Sequence, residues 1–464
     1  MSSGKSSTQA QHDIRKNGLT EGTIWKKILF FALPIFLGQV FQQLYNTIDS
    51  LIVGKFLGDE ALAAVSSSGS LIFMMVGFFN GVALGAGVII AKEYGARNYK
   101  GMRLALHTDV AFGLVAGVVL TIVGVFFTPT ILQWLNTPAD VFPQSVAYFR
   151  VYFYGSIFSV MYNIFVGILQ AVGDSKHPLY YLILSSIVNV VLDLLFVGVL
   201  GLGVGSAALA TVISQAISAV LCLIQLLKGP SEYRLNLKEI RFHGPSLVNI
   251  VRFGLPSGIQ NSVIALANLV VQANINNFGQ YAMAGCGAYA KIEGFAFLPI
   301  TCFSQALSTF VGQNLGAKNY DRVKKGVRFG ILCSVTAAEL IGITFFIFAP
   351  TLIGLFSGSP QVLAFGVKQA RVEALFYCLL ALAHCIAGIL RGAGKATVPM
   401  FTMLGFWCLL RVTYITIALQ FYPRIEVVFS AYPLTWSTSC VVFLLYFFKA
   451  DWIHNFDRLE KKKV

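Results

Sequence analysis

Residues 94–102 read "YGARNYKGM" and residues 315–323 read "LGAKNYDRV". These are near-identical basic connectors whose glycines, Gly95 and Gly316, stand 221 residues apart, each set between long apolar stretches. The same offset recurs along the chain. "GILQAVGDSKHPLY" at 167–180 pairs with "GILRGAGKATVPMF" at 388–401, matching Gly167 to Gly388, Gly173 to Gly394 and Pro178 to Pro399. Arg150 and Arg371 keep the offset, as do Gly58 and Gly279, while "ALP" at 32 and "GLP" at 254 drift by one residue. Separated matches on one diagonal mark a tandem duplication.

What duplicated is a membrane unit. The chain has 464 residues, 56% hydrophobic and only 12% charged, with a mean hydropathy of +0.73. A soluble protein of this length needs more polar surface, and the apolar residues cluster in blocks long enough to cross a bilayer as helices. Twelve spans are predicted: 25–52, 61–91, 103–127, 144–169, 178–199 and 204–228, then 246–276, 282–312, 325–348, 361–389, 397–420 and 428–449. The predicted organisation is a tail over 1–24, a six-helix lobe over 25–228, a linker over 229–245, a second six-helix lobe over 246–449 and a basic tail over 450–464. Because six is even, both copies insert the same way, as parallel repeats related by an axis along the membrane normal. The fold class is an all-α integral membrane protein of two such repeats. Transporters use this plan, and a duplicated channel or scaffold is the plainer alternative.

The net charge of +14 could suggest a nucleic-acid partner, but the placement of the cations argues otherwise. About 27 of the 34 Lys and Arg fall on one set of alternating connectors and the tails, against Lys55 and Arg424 on the other set. Basic loops held on the cytoplasmic side explain this, and they place both termini in the cytoplasm. The polar stretch before the first span has no small-residue cleavage site and reads as a cytoplasmic tail. The eight cysteines show no metal spacing and sit mostly in apolar blocks, as at Cys302 and Cys408. Glycine in the two opening connectors is expected to permit a tight turn where the chain leaves the bilayer.

Polar groups inside the spans need a reason, since an ionisable side chain near the bilayer centre costs about 3 kcal/mol on insertion scales. In the first span, "FALPIFLGQVFQQLYNTIDSLIVG", Gln39, Gln42, Asn46 and Asp49 recur at three and four residues and form one polar stripe. Pro34 removes a backbone hydrogen bond from that helix and invites a bend. In the fifth span Asn189 and Asp193 share a face, and in the sixth Thr211 and Gln215 do so. Two carboxylates from different helices with amide and hydroxyl neighbours suit a monovalent cation or shared protons. The alternative is two independent, hydrogen-bonded structural acids.

The second copy carries Val270 or Val271 for Asp49, Leu410 for Asn189 and Tyr414 for Asp193, so only the first copy retains that carboxylate pair. The seventh span keeps an uncharged stripe of Asn261, Asn268 and Gln272 after Pro256. Other embedded charges are Lys291, Glu293, Glu339, Arg371, Glu373 and Arg411. Arg371 and Arg411 are expected to pair with acids on neighbouring helices. Glu293, followed by Gly294 and Pro299, is a candidate to meet a cationic substrate. "GILRGAGKAT" is not a phosphate loop, because Ile389 stands where the first glycine is required. "GLGVGSA" at 201–207 lacks a preceding strand, and no H-E-x-x-H or G-x-S-x-G occurs. ATP-driven and hydrolytic chemistries have no local support.

These pieces in this order resemble the multidrug and toxic compound extrusion (MATE) family over essentially all twelve spans. The resemblance rests on a proline-started first helix ending in "YNTIDSLIVGKFLG", the "GARNY" and "GAKNY" connectors, the "GILQAVGDSK" and "GILRGAGKAT" connectors, and "NVVLDLLFVGVLGLGVGSAALAT". It implies two six-helix lobes in a V and an antiporter, not an enzyme. Such a protein exports amphipathic, often cationic, compounds against H⁺ or Na⁺ as coupling ion, with no other cofactor. The family's amino-terminal-lobe cation site maps onto Asp49, Asn189, Asp193 and Thr211, with Gln42 and Asn163 at nearby polar positions. Na⁺, if used, would sit at the first four. The candidate substrate-facing residues are Gln39, Asn46, Asn261, Asn268, Gln272 and Glu293. The expected setting is a monomer spanning the cell membrane, its partners being small molecules and the bilayer and not nucleic acid. A lipid-linked oligosaccharide flippase of the same architecture is the nearest alternative, and a channel the next.

Overall fold

The computed structural model describes residues 18–461 apart from 135, 136 and 138. The predicted tail therefore lies outside the described residues up to residue 17, as do the last three residues of the basic tail. In the first copy, α1 spans Ile24–Leu57, α2 Asp59–Gly95, α3 Tyr99–Trp134, α4 Phe142–Tyr154, α5 Ser156–Ala171, α6 Lys176–Asp193 and α7 Val204–Lys228. In the second, α8 spans Gly244–Asn276, α9 Gln280–Gly316, α10 Tyr320–Gly354, α11 Pro360–Glu373, α12 Tyr377–Gly392, α13 Thr397–Met403, α14 Arg411–Phe421 and α15 Ile425–Lys449; α16, Asn455–Lys461, follows. No strand occurs among the described residues. Eleven helical segments are long and apolar enough to cross a membrane, and α4 with α5 completes a twelfth span.

That fourth span departs from the single helix expected over 144–169. It breaks at Gly155, and α4 and α5 meet at a bend of 48°. A Cβ at Gly155 would overlap Val212 of α7, so glycine lets α7 close against the break. The second copy interrupts the same place with a 3₁₀ turn, Ala374–Phe376; Phe376 is the residue 221 after Gly155. Two spans also contain π-helical turns, Leu194–Val199 after Asp193 and Leu404–Leu410 before Arg411.

The chain divides into two compact units. One holds the described residues to Glu21 with Leu33–Gly258, and the other holds Gly22–Ala32 with Ile259–Val464. Helices α1 and α8 are therefore each shared between the units, close to Pro34 and Pro256.

Close helix contacts repeat between the copies. In the first unit Gly167 of α5 lies against Ala83 of α2, and Gly87 against Gly167. In the second, side chains at Gly388 and Gly392 of α12 would overlap the backbone oxygens of Ser304 and Ser308 of α9. Without a hydrophobic drive between helices in lipid, such small-residue faces supply association through van der Waals contact. The first unit has another such face, where Gly81 and Gly85 of α2 meet Gly254 and Gly258 of α8.

The opening connectors are superposable turns, but glycine is not the residue that makes them. Arg97 (φ 56°) and Lys318 (φ 58°) take the left-handed conformation. In the first copy the Arg97 N–H donates to the Tyr94 carbonyl at 3.1 Å and the Asn98 N–H to that of Glu93 at 2.9 Å. In the second, Lys318 donates to Leu315 at 3.1 Å and Asn319 to Asn314 at 2.8 Å. This paired arrangement satisfies the last carbonyls of α2 and α9. In the "GILQAVG" and "GILRGAG" connectors the left-handed residue is a glycine, Gly173 (φ 91°) or Gly394 (φ 73°).

The linker after α7 is docked on α3. Arg103 Nη2 donates to both Glu239 oxygens, at 2.9 and 3.0 Å. His107 Nδ1–H donates to the Arg103 carbonyl at 2.7 Å, and its Nε2 accepts from the Asn236 N–H at 3.0 Å. The segment after α15 docks comparably on the second unit. Asn455 donates to the Ala393 carbonyl at 2.8 Å, and the Tyr320 hydroxyl donates to Asp457 at 2.8 Å.

Candidate functional site: buried carboxylates in each unit

Asp49 lies in the last third of α1, after the break in donor supply at Pro34, and Asp193 closes α6 where its winding widens into the π turn. Their carboxyl groups come within hydrogen-bonding reach of each other. Asp193 and Asn189 are fully buried and Asp49 nearly so. Asp49 Oδ1, both Asp193 oxygens and both amide atoms of Asn189 lack a hydrogen-bond partner among the described residues. No cation pairs with either acid there. Tyr148 of α4 faces both carboxyl groups, and Tyr45 of α1 links Gln42 to Gln215 of α7. An apolar cluster including Ile52, Val53, Val197, Val204 and Ala208 lies beside them and keeps water from that side.

The other expected members lie apart from this pair. Thr211 Oγ1 donates to the Ala207 carbonyl at 3.2 Å, and Asn163 Nδ2 to that of Ser159 at 2.8 Å. Both donors therefore engage their own helices, and neither residue hydrogen-bonds to an acid among the described residues. The polar stripe of α1 also splits. Asn46 is exposed, whereas Tyr45 takes the buried place between Gln42 and Asp49. Gln39 is half-buried. In α8, Asn261 is half-buried, Asn268 and Gln272 are exposed, and Gln272 Nε2 donates to Asn276 Oδ1 at 2.9 Å.

The second unit holds two acids of its own, at positions other than the equivalents of Asp49 and Asp193. Glu293 of α9 and Glu373 of α11 lie close enough to repel, with Arg411 of α14 in electrostatic range of both. Gln369 Nε2 donates to Glu373 Oε1 at 3.0 Å. Glu293 Oε1 and Glu373 Oε2 have no partner among the described residues. Arg411 donates to Thr435 Oγ1 at 2.9 Å and to Asn268 Oδ1 at 3.3 Å, and stands 4.4 Å from the Tyr432 ring centroid. Tyr289 and Tyr377 share a hydrogen bond of 2.7 Å nearby. Position-by-position comparison of the copies missed this pair, because its acids stand where the first copy has Ile72 and Tyr152. The available signal was Glu373 itself, an acid inside an apolar span.

Arg371 does not pair as expected. It is exposed, makes no hydrogen bond or ion pair with a described residue, and points away from the buried Glu373 two residues on. A further buried acid drew no notice in the sequence: Asp109 of α3 is 1% exposed, with both oxygens unpartnered among the described residues.

The family model for MatE matches residues 34–195 and again 256–415. The chain belongs to the MatE family. It is 28% identical over 435 residues to the probable multidrug resistance protein YoeA of Bacillus subtilis (strain 168), covering 92% of this chain and 94% of that one. It is 27% identical over 390 residues to the probable multidrug resistance protein NorM of Thermotoga maritima, covering 83% of each. Among solved structures, an outward-facing conformation of a multidrug resistance MATE family transporter of the MOP superfamily matches with a TM-score of 0.86 and 22% identity, over 96% of this chain and 98% of that one. A MOP superfamily transporter from Pyrococcus furiosus matches with the same TM-score and identity, over 92% and 96%. This MATE chain therefore has the fold of the family's transporters, duplicated six-helix halves included.

Proposed function

We propose that this MATE transporter is a secondary active exporter of amphipathic, often cationic, compounds, driven by entry of H⁺ or Na⁺ and coupled at Asp49 and Asp193. One observation supports it above the others: two buried carboxyl groups from α1 and α6 face each other with no cationic partner among the described residues. Such a pair is unfavourable unless a proton or a cation lies between them. Asn189, one turn below Asp193, adds an unpartnered amide oxygen to the acceptors. A monovalent cation or a shared proton is what this set of oxygens suits.

Entry of the ion removes the repulsion that holds α1 away from α6. Helix α1 then bends at Pro34, where a backbone hydrogen bond is already missing, and this movement releases the exported compound. Gln39 and Asn46 of α1, Asn261, Asn268 and Gln272 of α8, and Glu293 of α9 are the residues proposed to meet that compound. Sequence relatives named as multidrug resistance proteins support the substrate class. The protein would act as a monomer in the cell membrane, with both termini cytoplasmic.

The test is efflux of a fluorescent cation from vesicles containing the purified protein, under a pH gradient and a Na⁺ gradient applied separately. Uphill export driven by either gradient supports the reading. Export that follows only the dye's own gradient indicates a channel. Transfer of a lipid-linked sugar in place of the dye indicates a flippase.

A further inference from the structure

Arg391, the penultimate residue of α12, is 8% exposed and has no acid beside it among the described residues. Its Nη2 donates to Ser304 Oγ of α9 at 3.1 Å, and that hydroxyl donates in turn to the His384 carbonyl at 2.7 Å. The Nε of Arg391 is buried with no hydrogen-bond partner among the described residues. Arg411, by contrast, has Glu373 and Glu293 in electrostatic range. A guanidinium taken out of water is strongly disfavoured unless an anion accompanies it.

His384 lies two turns before Arg391 on the same face of α12, in electrostatic range of the guanidinium. Its Nε2 is also buried and without a partner among the described residues. Phe297 of α9 and Trp407 pack on the imidazole, with ring centroids 6.2 and 5.3 Å away, and keep water from it. With its proton on Nε2, the ring is a second donor beside the guanidinium Nε–H. Space limits what these donors can hold. Side chains at Gly388 and Gly392 would overlap the backbone oxygens of Ser304 and Ser308, so α9 and α12 are in backbone contact here. A ligand between them must be close to the size of a single atom.

The first copy lacks these groups. Gln170 and Asn163, both uncharged amides, stand 221 residues before Arg391 and His384, and Ala83 stands 221 before Ser304. The turn that follows Arg391 is covered by α16. Asn455 donates to the Ala393 carbonyl at 2.8 Å, and a Cβ at Gly394 would meet the Phe456 ring.

We propose that Arg391 and His384 bind one halide-sized monovalent anion, such as chloride, between α9 and α12. The Arg391 Nε–H and the His384 Nε2–H donate to it, and its charge offsets the buried guanidinium. The same guanidinium repels Na⁺ and a cationic compound of the exported class, so this site is separate from the coupling acids and from the substrate's route.

The test is binding of radioactive chloride to the purified full-length protein, with gluconate keeping the ionic strength constant. Saturable binding of one chloride per chain is expected, displaced by bromide and not by gluconate. Arg391→Gln is expected to lower the affinity at least about tenfold, in line with losing a charge-assisted contact. His384→Phe keeps the cation and the aromatic packing. It is expected to lower the affinity about threefold and carries the test if Arg391→Gln fails to fold. Lys100→Gln, which removes an exposed cation from a connector, should leave binding unchanged. Chloride should also raise the thermal midpoint of the parent more than gluconate does. Absence of saturable binding in the parent would overturn the proposal. So would binding that is unchanged in the folded Arg391 and His384 variants, which would assign the anion to surface cations.

Discussion

Asp49 and Asp193 approach within hydrogen-bonding reach across 144 residues of sequence, and no cation accompanies them among the described residues. Replacing either by Asn removes a buried charge and keeps the shape. Asp49→Asn and Asp193→Asn are therefore expected to fold with thermal midpoints equal to or above the parent, by about 1 kcal/mol. Gradient-driven efflux should fall at least about tenfold, because the ion loses its carboxylate. Vesicle efflux and thermal unfolding measured on the same preparations check both. Well-folded variants that still pump uphill at the parent rate would remove these residues from the coupling site.

Among the described residues Arg411 is the cation in electrostatic range of both Glu293 and Glu373, so its removal leaves the two acids uncompensated. Arg411→Met is expected to destabilise the protein by about 3 kcal/mol, as for other buried charges left uncompensated. Adding Glu373→Gln should recover most of that loss, since the remaining repulsion disappears with it. Thermal unfolding of the single and double variants decides the matter. Equal stability of the two would show that Thr435 and Asn268 alone account for the role of Arg411.

Much of the fold was legible because membrane spans announce themselves by length and hydropathy, and because the 221-residue offset tied the copies together. Gly173 and Gly394 were matched by that offset, and their left-handed turns came from the structure. Those at Arg97 and Lys318 were not legible, because composition pointed to the glycines two residues earlier while the hydrogen-bond pattern assigns φ to the residue after the cap. Spacing put Asp49 and Asp193 each on a polar helix face, and it was the resemblance to the family's cation site that brought them together. The approach of Glu293 to Glu373 depends on how α9 packs with α11, and no spacing along one helix encodes that. The outward turn of Arg371 is similar: an embedded cation suggested a pair with an acid on a neighbouring helix, but the face of α11 it occupies depends on how the helices pack.

Glu239 gives the docked linker a dependence on pH. Its carboxyl lies below the ordinary value of 4.5, chiefly through the Asn236 hydrogen bond and further through Arg103 and His107. A depressed acid contributes its stabilisation fully above 4.5 and loses it as pH falls from there through the lowered value. The linker between α7 and α8 should therefore be cut faster by an acid-active protease below about pH 4.5 than above it. In Glu239→Gln that step in susceptibility should vanish. Cleavage that is flat across this range in the parent would show that the Arg103 contact does not hold the linker.

The α2–α8 contact in the first unit rests on absent side chains. A Cβ at Gly85 would overlap the Phe253 carbonyl oxygen, and one at Gly81 would overlap that of Ser257. Both obstacles are backbone, so neither can rotate away, and the helices must separate to admit a methyl group. Gly85→Ala is expected to cost about 1–3 kcal/mol through overpacking, despite the better helix propensity of alanine. Gly287 of α9 is the internal control, because a Cβ there meets nothing within 4 Å. Gly287→Ala should leave stability unchanged or raise it by up to about 1 kcal/mol. Thermal unfolding of the two variants side by side separates packing from propensity. A Gly85→Ala protein as stable as Gly287→Ala would mean that α2 and α8 do not approach as closely as their glycines allow.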